Sequence, residues 1–155
     1  LEPEWELGYV RLSGDDPATP EHEGWNPLFS RAPMWNELLI YTLIPETIKD
    51  GGPIPGYWTN LHLYKAGVKV ALASATGLAL SYQYLKSDKP TAGLNATMFS
   101  NKGEVRGHMG TLMLTHAFTK QIDAFLQLEY FGPGDFYAQK AQNAIFARWQ
   151  LQFRF

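Results

Sequence analysis

The sequence contains no cysteine, which excludes a disulfide-stapled miniprotein and a Cys-ligated zinc or iron–sulfur centre. Neither sign of charge is in clear excess: 13 Lys and Arg stand against 15 Asp and Glu, a net charge of −2. No global positive field is available to attract nucleic acid, so nucleic acid is not expected as a partner. Long hydrophobic runs are missing too. The longest uncharged stretch, residues 70–85, includes Ser74, Thr76, Gly77, Ser81 and Gln83, and a transmembrane helix needs roughly 20 mostly apolar residues. No apolar targeting segment opens the chain, which starts Leu1-Glu2-Pro3-Glu4-Trp5-Glu6 without an initiator Met; it reads as a mature protein or a piece of a longer one. Also lacking are a Gly-x-Ser-x-Gly elbow and a Gly-rich phosphate loop, so no catalytic residue and no cofactor are assigned. What is present is 45% hydrophobic and 14% aromatic residues in a chain of 155, too many for disorder and suited to one domain over residues 1–155.

The clearest period in the chain is two. Ala147, Trp149, Leu151, Phe153 and Phe155 alternate with Arg148, Gln150, Gln152 and Arg154, so an extended segment is wholly apolar on one side and wholly polar on the other. Upstream, Ile122, Ala124, Leu126, Leu128 and Tyr130 alternate with Asp123, Gln127 and Glu129, Phe125 being the exception. Noisier alternation marks strands over residues 107–118, 78–86, 57–72 and 5–13, with a break in phase near Ala66-Gly67. These segments make about six spanning strands.

Their connections sort by length. Short ones fall near residues 74–77 and 119–121, and long ones rich in turn formers cover 14–56, 87–106 and 132–142. Short turns alternating with long loops are the habit of outer-membrane barrels, whose long loops face outward. The predicted fold is therefore all-β: an antiparallel up-and-down transmembrane β-barrel or the C-terminal segment of one, with 14–56 a long outer loop. Within that loop, residues 34–41 are read as a hairpin or helical piece. This topology places Trp5, Phe118, Phe153 and Phe155 at the periplasmic rim. Tyr57, Trp58, Tyr82, Tyr84, Tyr130 and Phe131 fall at the outer rim, where interfacial aromatics belong.

Local motifs add a family likeness. Ser13-Gly14-Asp15-Asp16 is followed by Asn26-Pro27-Leu28-Phe29, Trp58-Thr59-Asn60-Leu61, Arg106-Gly107-His108 and Tyr130-Phe131-Gly132-Pro133-Gly134-Asp135-Phe136. In this order, ahead of a terminal Phe155, they resemble the C-terminal part of the alginate-export family of outer-membrane β-barrels. The resemblance spans nearly the whole chain, in pieces of a few residues each. It implies the outer membrane of a Gram-negative cell envelope, a barrel larger than six strands, and a porin or exporter passing polar solutes or polysaccharide. It also implies outer-membrane lipid and the barrel-assembly machinery as partners, the latter reading Trp149, Leu151, Phe153 and Phe155 as its signal.

On this reading Lys69, Asp123, Gln127, Glu129, Arg148, Gln150, Gln152 and Arg154 line the pore. Their charges are mixed, without the one-sided basic lining that a polyanion would favour, and pairing among themselves competes with solute contact as their role. Asp15, Asp16, Glu21 and Glu23 form a weak calcium candidate, although their spacing is not that of an EF-hand. His108 and His116 would lie roughly 27 Å apart on an extended strand, and His22 and His62 have no partner at ligand spacing, so no histidine metal site is assigned. Asp123 and Glu129, about 20 Å apart, are too distant for glycosidase chemistry. Two other functions fit the same alternation. One is a complete eight-stranded barrel acting as an anchor or adhesin without a pore. The other is a soluble lipocalin-like barrel, in which Trp149, Leu151 and Phe153 would turn inward.

Overall fold

The computed structural model describes residues 2–16, 18–21, 23–25, 37, 59–89, 97 and 99–155. Six strands follow one another: β1 (Glu4–Leu12), β2 (Leu61–Ala73), β3 (Thr76–Lys86), β4 (Val105–Ala117), β5 (Ile122–Pro133) and β6 (Ala144–Phe153). Each pairs antiparallel with the next, giving an open up-and-down sheet in the order β1-β2-β3-β4-β5-β6. β2 passes to β3 through Ser74 and Ala75, and β4 to β5 through residues 118–121, so these tight connections share one end of the sheet, the turn end. The connections 13–60, 87–104 and 134–143 share the other, the loop end. Strand bounds differ from the expected ones by a few residues. β2 starts at Leu61 because Asn60 takes a left-handed conformation, φ 53°, and leaves the ladder.

Two faces result, since neighbouring side chains in a strand point to opposite sides. One is apolar and open. It carries Trp5, Leu7, Val68, Val70, Leu78, Leu80, Leu112, Leu114, Leu126, Leu128, Trp149 and Leu151. Leu7 is 86% exposed and Trp149 77%. Aromatic rings flank this band at the loop end, where Tyr9, Tyr64, Tyr84 and His108 sit side by side with centroids 5.0, 6.1 and 5.2 Å apart. At the turn end Phe118 stands over His116, 4.6 Å away.

The opposite face is mixed, and the core lies at its loop end. Leu12, Leu61, Leu63, Leu85, Met109 and Phe131 cluster there, with Val10, Tyr137, Ala144 and Phe146 against them. Toward the turn end the same face becomes polar. This change of polarity corrects the break in phase expected at Ala66-Gly67. The register of β2 runs unbroken from Leu61 to Ala71, but its mixed face goes from Leu61 and Leu63 to Lys65 and Lys69, which imitates a reset in the alternation. Phe131 is corrected for the same reason. It lies at the loop end as expected, but turns into the core beside Met109 and is 6% exposed. Tyr57, Trp58 and residues 34–41 apart from Glu37 lie outside the described residues.

The loop bases are clasped to one another. Asp135 Oδ1 accepts from the Val105 amide at 2.8 Å, Gly134 N donates to the Arg106 carbonyl at 3.1 Å and Phe136 N to Val105 O at 2.9 Å. Gly107 sits between them at φ 146°, and a Cβ there would meet the Gly132 carbonyl oxygen at 2.5 Å, so the Arg106-Gly107-His108 motif needs its glycine. Arg106 itself is buried over the Phe136 ring, 4.8 Å from its centroid.

Candidate functional site

The polar half of the mixed face gathers most of the chain's strand-borne charge. Alternation puts Glu4 and Glu6 of β1, Lys65 and Lys69 of β2, Ser81 and Gln83 of β3, and Thr111 of β4 on this side. β5 and β6 add Asp123, Gln127, Glu129, Arg148, Gln150 and Gln152. Arg154, just past β6, reaches Asp123 Oδ2 at 2.6 Å. All eight residues expected on the polar wall are therefore on one side of the sheet.

Pairing organises this wall. Lys65 Nζ donates to Glu6 at 2.8 Å, and Lys69 lies 3.5 Å from Glu4, its register partner. Glu129, 1% exposed, accepts from Gln127 Nε2 at 2.7 Å. Its Oε1 also accepts from the backbone amide of Glu37, 3.0 Å away. Glu37 belongs to the long β1–β2 connection, yet it sits at mid-height on this face. Its carboxylate accepts from Arg148 Nη1 at 2.7 Å, and Arg148 Nη2 donates to Gln150 at 3.2 Å. The Arg148 guanidinium also lies 5.3 Å from the Phe125 ring centroid. Beside Glu37 a recess of about 320 Å3 opens between Glu6, Lys65, Ser81, Thr111 and Gln127.

Sequence reasoning set Glu6 opposite Trp5 and Leu7 without counting it in this wall, and missed Glu4, Lys65 and Glu37. Lys65 is four residues before Lys69 and shares its face by simple alternation; the imitation reset between them hid it. Glu37 carries no local signal, because its position depends on contacts with residues far along the chain.

A second polar assembly lies at the loop end, across the starts of three loops. Arg11 Nε donates to Asp88 Oδ1 at 2.7 Å, and Gly14 N donates to Asp88 Oδ2 at 3.1 Å. His62 Nε2 lies 2.8 Å from the same Oδ1, and the Tyr9 hydroxyl bonds His62 Nδ1 at 2.7 Å. The Arg11 hydrogen bond, against the desolvation of a nearly enclosed carboxylate, lowers the Asp88 pKa from 3.8 to about 2. Asn60 Oδ1 accepts from the amides of Asp88 and Lys89 at 2.9 and 2.6 Å. The Ser13-Gly14 and Thr59-Asn60 motifs thus act as staples between loops.

The calcium candidate is not assembled. Asp16 is held by Lys89 Nζ at 2.9 Å and by the Ala18 amide, and Asp15 Oδ1 accepts from Glu23 N at 2.8 Å. Among the described residues no three acidic or histidine side chains gather as a metal cluster. The physical reason is local: the Asp15 and Asp16 carboxylates are engaged by Lys89 and by backbone amides of their own loop. No family model matches the sequence, and neither a curated protein nor a solved structure matches it.

Proposed function

We propose that the chain forms part of an outer-membrane β-barrel that passes polar solutes, polysaccharide among them, through a hydrated lumen. The observation that carries this reading is the inverted polarity of the sheet. Leu126, Leu128, Trp149 and Leu151 stand exposed, while Gln83, Gln127 and Glu129 are buried on the other side. In water such a surface costs about 25 cal/mol for each Å2 of apolar area left wet; facing lipid, it costs nothing of the kind. Apolar strand faces between aromatic girdles, with polar residues inward and long loops at one end, are the pattern of transmembrane barrels. The open edges of β1 and β6 fit a larger barrel, since closed outer-membrane barrels have at least about eight strands. Bacterial outer membrane, lipid contact and the assembly machinery as partner follow from the same reading, and no chemical step is assigned to the protein.

The exposure of Leu126, Trp149 and Leu151 favours this reading over a soluble lipocalin-like barrel, which requires them to enclose a dry centre. The function is tested by reversing the charges of the wall. In planar bilayers, Arg148→Glu with Arg154→Glu shifts the reversal potential toward cation selectivity. Channels with unaltered selectivity would remove both residues from the passage, and no channel at all in the unaltered protein would overturn the porin reading.

A further inference from the structure

The wall described above is closed electrostatically at mid-height by a residue from outside the sheet. Four basic side chains, Lys65, Lys69, Arg148 and Arg154, face four acidic ones on the strands, Glu4, Glu6, Asp123 and Glu129. Three of the cations have strand partners: Lys65 with Glu6, Lys69 with Glu4 and Arg154 with Asp123. Arg148 is matched differently. Its register partner is Gln127, and its ion partner is Glu37 from the β1–β2 connection. Glu129, the acidic residue nearest in register, is occupied by Gln127 and by the Glu37 amide. One residue therefore does two things: its amide satisfies Glu129 and its carboxylate neutralises Arg148.

From this geometry we propose that Glu37 is a selectivity residue of the lumen, and that the passage takes uncharged, hydroxyl-rich solutes in preference to anions. The proposal rests on the porin reading and names its substrate class. Taking an ion across a wall of paired charges requires breaking pairs, or entering without a compensating partner. A neutral polyol can instead hydrogen-bond to the Ser81 hydroxyl and the Gln127 side-chain carbonyl without disturbing any ion pair. The recess they share with Glu37, about 320 Å3, lies at the small end of ligand-sized sites, which run from about 300 to 1,000 Å3. It suits one sugar unit at a time. A polyanion would need Arg148 released, and Glu37 holds it.

The experiment compares the purified complete barrel with its E37Q, R148Q and E37Q/R148Q variants, in two assays. In liposome swelling, glucose enters faster than glucuronate of nearly equal size through the unaltered protein. E37Q raises the ratio of the glucuronate rate to the glucose rate severalfold. In bilayers under a KCl gradient, E37Q moves the reversal potential toward anion selectivity. R148Q moves it the other way, and the pair returns it to the starting value, as two members of one ion pair must. Equal glucose and glucuronate rates in the unaltered protein, or channels of E37Q with unchanged anion preference, overturn the proposal while leaving the porin reading standing. Absence of any swelling or conductance in the unaltered protein overturns both.

Discussion

Asp88 ties three segments together at the loop end. It receives Arg11 from β1, the Gly14 amide from the loop after it, and His62 from β2. A carboxylate whose pKa falls on folding stabilises the fold where it is ionised in both states. That contribution is complete above the ordinary value of 3.8 and is lost as pH falls through about 2. Asp88→Asn is expected to lower stability at neutral pH, with the gap between variant and parent narrowing between about pH 4 and 2. Urea titrations in micelles at a series of pH values measure it. A gap that does not change with pH would show that the loss is one of shape rather than charge.

At the scale of the strand, the two faces of β5 make opposite demands on neighbouring positions. Leu126 is 39% exposed on the apolar face, and Gln127, the next residue, is 6% exposed on the other. If lipid covers the first, Leu126→Arg costs about 2–4 kcal/mol near the bilayer midplane. Gln127→Arg, which adds the same group to the polar wall, costs far less in the membrane-inserted state. Denaturant unfolding of both variants in lipid decides the matter. Equal losses, or a larger loss for Gln127→Arg, would contradict the lipid-facing assignment of the apolar face. β6 follows the same logic, because Trp149, Leu151 and Phe153 are its exposed apolar side.

For the whole molecule, the open sheet leaves one edge of β1 and one edge of β6 with unpaired backbone groups among the described strands. Exposed strand edges recruit further strands. Together with the open apolar face, this predicts that the chain is monodisperse only in detergent or lipid and aggregates on dilution into plain buffer. Sedimentation before and after detergent removal measures it. A monodisperse species without detergent would favour the soluble barrel over the membrane one.

The sequence pattern alone makes much of this legible: six strands, their antiparallel order, the sorting of loops by length, and the common face of Lys69, Asp123, Gln127, Glu129, Arg148, Gln150, Gln152 and Arg154. Side chains of an extended chain must point alternately, so face membership is a local property that any sequence displays. Position along the strand was harder to read. Phe131 and Leu63 occupy the same face as Glu129 and Lys65, and only the packing of the loop bases against the sheet makes their end of that face dry. Glu37 belongs wholly to the tertiary level. It meets Glu129 and Arg148 across 92 and 111 residues of chain, a distance over which no pattern in the sequence carries information, because it is set by how the long connection returns to the sheet.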